Sequence, residues 1–135
     1  MKTVTIQQQV LFNGSPREIY DAYLDSKRHA SFTGAKAKVA RRIGGRMTAW
    51  DGYLSGQFLI LKPNRQIVQT WRTITWPKSE LDSLLDIRLE ARGKKTRLTM
   101  IHSGVPTSLA KGFRTGWHTS YWKPLAAYLK RAKKR

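Results

Sequence analysis

The sequence is poor in cysteine, in acidic residues and in long apolar runs. It contains no cysteine, and 8 of its 135 residues are acidic, against 26 lysines and arginines. The lack of cysteine excludes disulfides, thiolate nucleophiles and cysteine-based zinc sites. No apolar run approaches the length of a membrane-spanning helix, and the segment MKTVTIQQQV lacks the apolar stretch of a signal peptide. We therefore expect one soluble, cytoplasmic domain over residues 1–135, large enough to form a core without metal or disulfide.

The excess of basic residues gives a formal net charge of +18. A basic tail, residues 130–135, carries five of these charges, so the rest of the chain is strongly basic as well. Such a surface attracts polyanions, whereas the alternative interpretation is a solvated basic face without a partner. The candidate contacts with phosphate groups are Lys36, Lys38, Arg41, Arg42, Arg46, Lys130, Arg131, Lys133, Lys134 and Arg135. Since no recognition motif accompanies them, we expect weak binding of nucleic acid without sequence preference.

Apolar and polar residues alternate through much of the chain, which is typical of strands with one buried face. The first such strand covers residues 4–12. Turn signals at 44–45, 51–52 and 63–64 divide the region 36–103 into an antiparallel meander. Its first three strands are predicted at 36–42, 46–50 and 53–61.

Two short helices are predicted directly after the first strand. Ser15 and Glu18 have the spacing of a capping box, and Pro16 suits the first helical position. A second short helix is predicted from Asp25 to near Gly34.

The hydrophobic period changes from 2 to 3.6 at residue 107, which predicts one long C-terminal helix over 107–133. Pro124 removes a backbone donor and should kink this helix. Gly112 and Gly116 are expected to let the helix backbone approach the sheet closely. The predicted apolar face consists of Leu109, Phe113, Trp117, Tyr121, Leu125 and Tyr128.

The residues with catalytic potential do not form a recognisable site. His102 and Ser103 are adjacent, but neighbours in a strand point to opposite faces and cannot act on each other as base and nucleophile. His102 is then either a hydrogen-bonded core histidine or a ligand contact. His29 and His118 lack the spacing of metal ligands, and no carboxylate pair is placed for acid–base catalysis. We expect neither a metal site, nor a cofactor, nor enzymatic activity.

Aromatic residues predicted to point inward suggest a binding cavity as an alternative to a catalytic site. They provide more bulky surface than a small helix-on-sheet interface needs, so they form either an ordinary core or the wall of a cavity between sheet and helix. The predicted cavity-lining residues are Phe58, Trp71, Ile87, Leu89, Met100, His102, Phe113, Trp117 and Tyr121.

Five segments of the chain resemble the activator of heat-shock protein 90 ATPase homologue-like family of the START-like (SRPBCC) superfamily. They are SPREIYDAYLD, GGRMTAWDGYLSG, RQIVQTWR, TRLTMIHSGVP and GWHTSYWKPLAAYL, and the resemblance extends over essentially the whole chain. It implies an α+β helix-grip fold: an antiparallel curved sheet wrapped around a long C-terminal helix, with two short helices after the first strand. The family motifs are chiefly fold signatures and assign no catalytic residue.

Three functions follow as expectations. The first is non-catalytic binding of a small apolar or amphipathic ligand in the cavity between sheet and helix. The resemblance implies the second, a protein-interaction role with a heat-shock protein 90 chaperone, because a domain of this type assists the chaperone's ATPase cycle in the eukaryotic co-chaperone. That co-chaperone carries a further N-terminal domain, so the resemblance implies at most part of its activity. The third is non-specific binding of polyanions by the basic surface.

Overall fold

The computed structural model describes residues 2–133. Across these residues, seven antiparallel strands form one sheet in the spatial order β1-β7-β6-β5-β4-β3-β2. Two helices follow β1, and the remaining helical segments follow β7, so the α+β arrangement expected from the sequence is present. The strands are β1 (Thr3–Phe12), β2 (Lys38–Val39), β3 (Arg46–Ala49), β4 (Leu54–Lys62), β5 (Gln66–Thr73), β6 (Ser83–Arg92) and β7 (Lys95–Pro106). The helices are α1 (Pro16–Leu24), α2 (Ser26–Thr33), α3 (Thr107–Trp117) and α4 (Lys123–Lys133), and the π segment (His118–Trp122) joins α3 to α4.

The predicted start of the first helix is confirmed in atomic detail. The Ser15 hydroxyl accepts a hydrogen bond from the Glu18 backbone N–H (3.1 Å), and the Glu18 carboxylate accepts one from the Ser15 N–H (3.0 Å). Asp25 ends α1 and caps α2 by accepting from the Arg28 N–H. Gly34 ends α2 in the left-handed conformation, with φ of 80°.

The strand predicted at 36–42 is wrong in length, because only Lys38–Val39 pairs with β3. Residues 40–45 fold into a turn in which the Gly45 N–H bonds the Arg42 carbonyl. A Cβ on Gly45 would lie 2.2 Å from the Ala40 carbonyl oxygen, so this turn can close only around a glycine. The two glycines at 44–45 do mark a turn, as predicted. The turn begins at residue 40, however, whereas the alternation of apolar and polar residues predicted a strand up to residue 42.

The long C-terminal helix predicted over 107–133 is present, but it consists of α3, a π segment and α4 instead of one kinked α-helix. Pro124 has no backbone N–H, and its ring would collide with the carbonyl four residues earlier in a regular α-helix. The wider π turn relieves this conflict, and the Lys123 N–H donates to the carbonyl of His118, five residues back. Because the π segment adds a residue to the turn, Tyr121 and Trp122 are both buried.

The added residue also changes which side chains of α4 face the core. Leu125 is buried as predicted, but Leu129, at 1% exposure, takes the inward position that the sequence assigns to Tyr128. Tyr128 is half-buried and packs at the edge of the core, against Phe32. The sequence prediction assumed a regular period of 3.6 residues through this region. It therefore could not show that the inward face shifts by one residue after the π segment.

Candidate ligand pocket

A pocket of about 570 Å³ lies between the sheet and the C-terminal helical region. On the sheet side it is bounded by the β3–β4 turn, by the end of β5 and by the loop that follows β5. On the helical side it is bounded by α3 and the π segment. Its lining residues are Trp50, Tyr53, Leu54, Trp71, Thr75, Ser108, Leu109, Gly112, Phe113, Gly116, Trp117, Ser120 and Tyr121.

The β3–β4 turn that carries Trp50 has an unusual backbone. Trp50, Asp51 and Gly52 all have positive φ angles, of 53°, 58° and 89°. A bulky aromatic residue rarely adopts this conformation, and such strain persists only where the surroundings impose it. Here the Lys36 N–H donates to the Asp51 carboxylate (2.9 Å), and the Asp51 N–H donates to the Lys36 carbonyl (3.1 Å). These two bonds hold the turn in place and keep Trp50 on the pocket wall.

The five tryptophan indoles differ in their hydrogen bonding. Trp76 donates to the Leu81 carbonyl (2.9 Å), Trp122 to the Gln8 side chain (2.8 Å), and Trp117 to His102. The other two differ: within residues 2–133, the buried indole nitrogens of Trp50 and Trp71 have no hydrogen-bond partner. Both of these tryptophans line the pocket.

His102 lies beneath the pocket, in a chain of hydrogen bonds whose proton positions are fixed. The Trp117 indole N–H can only donate, so His102 Nδ1 accepts from it (3.2 Å), and Nε2 carries the proton that is donated to the Ser83 hydroxyl (2.8 Å). Ser83 in turn donates to the Trp71 carbonyl (2.5 Å). Burial lowers the pKa of His102 to about 3, so the ring stays neutral. Of the two interpretations left open by the sequence, the hydrogen-bonded core histidine describes this geometry.

This arrangement does not suit nucleophilic catalysis, although Ser83 and His102 are in contact. A general base needs an unprotonated nitrogen facing the serine, whereas Nε2 of His102 carries a proton on that side. Both side chains are also buried, with 1% and 0% of their surface exposed. The pair therefore links β6 and β7, and Trp117 connects it to α3.

A second buried network ties α2 to the π segment. The His29 Nδ1–H donates to the Tyr23 carbonyl (2.8 Å), and the Tyr121 hydroxyl donates to His29 Nε2 (2.9 Å). The Tyr23 hydroxyl donates to Gln69 (2.6 Å). Burial lowers the pKa of His29 and raises the pKa of Tyr121 well above its usual value. The nearby Trp50 indole acts in the opposite direction and lowers the pKa of Tyr121, but less than burial raises it. The Trp50 N–H does not reach hydrogen-bond geometry with any acceptor in residues 2–133.

The nine predicted cavity-lining residues are not all brought together at the pocket. Four of them line it: Trp71, Phe113, Trp117 and Tyr121. The other five do not: Phe58, Ile87, Leu89, Met100 and His102. All five are buried, and three have no exposed surface at all: Phe58, Met100 and His102. They face inward as predicted, but their side of the interface is closed by packing, and the His102 ring fills the space near Trp71 and Trp117.

The expectation for Gly112 and Gly116 is wrong. A Cβ built on either residue would meet no atom within 4 Å, so neither glycine lets the helix approach the sheet. Both border the pocket instead. A signal for this was present in the sequence, since Ser108, Gly112, Gly116 and Ser120 recur at four-residue intervals in a helix that is otherwise rich in aromatic residues.

The basic candidates lie away from the pocket and are exposed. This applies to Lys36, Lys38, Arg41, Arg42, Arg46, Lys130, Arg131 and Lys133, while Lys134 and Arg135 lie outside the described residues. Lys36 precedes β2 and anchors the β3–β4 turn through its backbone.

Arg41 is the most constrained of these residues. Its guanidinium donates to Asp21 (2.9 Å) and lies over the Tyr20 ring, 5.2 Å from its centroid. Arg17 and Arg28 also approach the Asp21 carboxylate, at 3.7 and 3.8 Å. Three arginines around one carboxylate leave an excess of positive charge on this surface. Arg17 and Arg28 were not among the basic contacts predicted from the sequence.

Residues 2–133 contain neither a membrane-spanning helix nor a histidine–carboxylate cluster for a metal ion. In this part of the chain no helix is both long and apolar enough to span a membrane. The same residues contain no group of three histidine or acidic side chains arranged to hold a metal ion.

Comparison with known sequences identifies the family of the chain. Residues 13–130 match the family model described as activator of Hsp90 ATPase homolog 1-like protein. The human activator of 90 kDa heat shock protein ATPase homolog 1 is 30% identical over 121 residues, which cover 90% of this chain and 36% of the human protein. An uncharacterized protein of Schizosaccharomyces pombe is 31% identical over 106 residues, which cover 78% of this chain and 31% of that protein. The chain thus spans about a third of the length of these curated relatives.

Solved structures show the same fold. An HSP90 activator from Plasmodium falciparum superposes with a TM-score of 0.87 at 17% identity, covering 93% of this chain and 96% of that one. The solution structure of the Aha1 dimer from Colwellia psychrerythraea gives a TM-score of 0.80 at 19% identity, with the same coverage of 93% and 96%. The chain has the helix-grip fold and belongs to the family of activator of Hsp90 ATPase homolog 1-like proteins.

Proposed function

We propose that this domain binds a small amphipathic ligand in the pocket between the sheet and the C-terminal helical region. The observation that carries the proposal is the pair of unpartnered indole N–H groups, on Trp50 and Trp71, in the wall of a largely aromatic pocket. A volume of about 570 Å³ lies within the range of roughly 300–1,000 Å³ typical of small-molecule sites. Ligand sites of this kind combine an apolar lining with a few polar groups that fix orientation.

The unpaired donors give the ligand a chemical requirement. A buried N–H without a partner costs about 1–3 kcal/mol, so a ligand with a hydrogen-bond acceptor gains by pairing with it. Because both indole nitrogens are shielded from water, the acceptor reaches them only when a ring turns toward the pocket. Trp50 is the better placed to turn, since it is partly exposed and stands on a surface turn, whereas Trp71 is packed among other rings.

The test uses the five indole N–H resonances of the protein as purified. Native mass spectrometry looks for a co-purifying molecule, and ¹⁵N-labelled protein is then stripped and titrated with that molecule. The indole signals of Trp50 and Trp71 should move downfield as they gain an acceptor, whereas that of Trp122, which already donates to Gln8, should move little. Absence of any bound molecule, together with unmoved Trp50 and Trp71 signals on titration with small aromatic ketones, would argue against the proposal.

A second function is favoured by the family relationship. The human relative that matches over 90% of this chain is an activator of the 90 kDa heat shock protein ATPase. We infer that this domain associates with a chaperone of the heat-shock protein 90 class, and that the exposed arginines around Asp21 provide a basic contact surface for it.

The chaperone role has its own test. Purified domain is added to heat-shock protein 90 at physiological salt, and the ATPase rate and the binding isotherm are measured. We expect saturable binding that weakens when Arg17 and Arg28 are replaced by alanine, because these two exposed arginines approach Asp21 at 3.7 and 3.8 Å. Replacement of Arg97 by alanine is the control, since it removes a partly exposed arginine of β7, away from Asp21. No binding at tens of micromolar would rule this function out.

A further inference from the structure

Three exposed aliphatic side chains lie at one edge of the sheet, and we call them the aliphatic patch. Ile43, in the turn after β2, is 67% exposed, and Leu59 and Ile60 of β4 are 43% and 40% exposed. Two backbone bonds join that turn to β4 at Phe58, which donates to the carbonyl of one glycine of the turn (2.9 Å) and accepts from the N–H of the other (2.7 Å). The turn therefore holds Ile43 beside the part of β4 that carries Leu59 and Ile60.

A β-bulge explains why two consecutive residues of β4 are both exposed. The pairing of β4 with β5 shifts by one residue between Phe58 and Ile60, so Leu59 is the additional residue of the bulge. In a regular strand, neighbouring side chains point to opposite faces. Within residues 2–133, β3 pairs with β4 only as far as Gln57, so the bulge also lies where β4 has a strand on one side alone. The backbone thus turns aliphatic surface toward solvent at this edge.

The aliphatic patch is surrounded by positive charge. Arg42 directly precedes Ile43 in the turn, Arg46 begins β3, and Lys62 ends β4; all three basic residues are exposed. None of these three takes part in the ion pairs found within residues 2–133. Asp51 is the only acidic residue between positions 26 and 79, so this part of the sequence offers the basic side chains little neutralising charge.

We propose that the aliphatic patch and its basic surroundings bind the surface of a bilayer that contains anionic phospholipid. Basic residues are attracted to the negative potential of such a surface, and aliphatic side chains gain by leaving water for the boundary of the acyl chains. Nucleic acid would use only the positive charge, because base recognition in single strands relies on aromatic stacking and the patch contains no aromatic ring. The patch shares no residue with the pocket lining, so this surface is independent of ligand binding there.

The test measures sedimentation of the protein with two kinds of vesicle, one of phosphatidylcholine alone and one of equal parts of phosphatidylcholine and phosphatidylserine. We expect saturable binding to the mixed vesicles that weakens as salt rises. Binding to phosphatidylcholine alone should be at least about tenfold weaker, because the electrostatic attraction is lost. No binding to the mixed vesicles, or equal binding to both kinds, would overturn the proposal.

Substitutions in the aliphatic patch separate insertion from plain electrostatic adsorption. Ile43→Ser and Leu59→Ser should each weaken binding to the mixed vesicles about tenfold, because each removes an aliphatic side chain from the lipid contact. Leu81→Ser is the matched control, since Leu81 is 87% exposed but stands between Glu80 and Asp82. Ile43 lies in a surface turn, so its variant tests the patch even if Leu59→Ser disturbs the bulge. Unchanged binding by Ile43→Ser, or an equal loss in Leu81→Ser, would overturn the proposal.

Random duplex DNA distinguishes a lipid contact from a general polyanion contact. Ile43→Ser leaves every basic residue in place, so it should not weaken DNA binding. Weakening of vesicle binding alone is the expected result. If Ile43→Ser weakens DNA binding and vesicle binding by the same factor, the patch belongs to a general polyanion surface and the proposed lipid contact is wrong.

Discussion

The interface between sheet and helices has a closed end and an open end, built from the same few elements. At the closed end, Ile87 and Leu89 of β6 pack with residues of α1, α2 and α4, and the remaining void is about 10 Å³. At the open end, α3 faces the β3–β4 turn across a pocket of about 570 Å³. The closed end is filled by branched aliphatic and aromatic side chains, whereas α3 offers serine and glycine at part of its face toward the open end. The difference indicates that small residues on one stripe of α3 leave space at the open end.

The largest effect of a substitution on the free energy of unfolding is expected at Trp117, which lies between the two ends. Its ring is 3% exposed, it stacks on Trp122, and its N–H donates to His102. Replacing it with alanine should lower the free energy of unfolding by about 3–5 kcal/mol, as for other buried aromatic residues. Urea denaturation of both proteins measures the change. A loss below about 1 kcal/mol would mean that Trp117 behaves as pocket wall alone and that the boundary between the two ends is misplaced.

The contrast between the ends can be measured directly with one matched pair of substitutions. Ile87→Ala removes a 2%-exposed side chain from the closed end and should cost about 2–5 kcal/mol. Leu109→Ala shortens a half-buried side chain beside the pocket and should cost about 1 kcal/mol or less, because less apolar surface is lost from the core. Equal costs in chemical denaturation would contradict the division into closed and open ends.

A smaller effect on the free energy of unfolding is expected at low pH, because of the buried His102 beneath the pocket. His102 has a pKa of about 3 in the folded protein, below its ordinary value of 6.5, because it is buried. Below pH 6.5 the unfolded chain binds a proton that the folded protein does not, so stability falls as the pH drops from 6.5 towards 3. By pH 5 this single group should cost about 2 kcal/mol relative to pH 8. The lowered pKa of His29 acts in the same direction.

The variant His102→Gln isolates this contribution, because glutamine keeps a donor and an acceptor but does not titrate. The difference in unfolding free energy between pH 8 and pH 5 should shrink by about 2 kcal/mol in this variant. His118→Gln, the same substitution at an exposed position, is the matched control. An identical pH dependence in wild type and His102→Gln would show that water reaches His102 from the pocket.

The smallest effect on stability is expected for substitutions at the basic surface, which belongs to neither end of the interface. Random duplex DNA or RNA should bind with micromolar affinity at low salt and lose that affinity steeply as salt rises, since the contacts release counterions. Replacing Lys130, Arg131 and Lys133 with alanine should reduce the salt slope without changing stability by more than about 0.5 kcal/mol. Tight binding at high salt, or discrimination between sequences, would contradict an electrostatic origin.

The sequence alone determined the local features that depend on neighbouring residues. The capping box at Ser15, the helix ends at Asp25 and Gly34, and the inward faces of β5 to β7 all follow from spacing and side-chain type. Four of the predicted cavity-lining residues, Trp71 among them, border the pocket, and the same reasoning placed them on inward faces. Alternation and helical period identify which face of an element turns inward, and this is why the core was largely predictable.

Only the tertiary structure decided which part of that inward face stays open. Ile87 and Trp71 have the same pattern in sequence, yet one packs against α1 and α4 while the other borders the pocket. The π segment shifts the phase of α4 and brings Leu129 inward. The strained turn at Trp50 is held by hydrogen bonds between Asp51 and Lys36, which is fifteen residues away in the sequence. The size of a cavity depends on the distance between the two surfaces that face it, here the sheet and the C-terminal helical region. A one-dimensional pattern specifies each surface but not the distance between them, so the pocket and its glycine-lined wall became visible only in three dimensions.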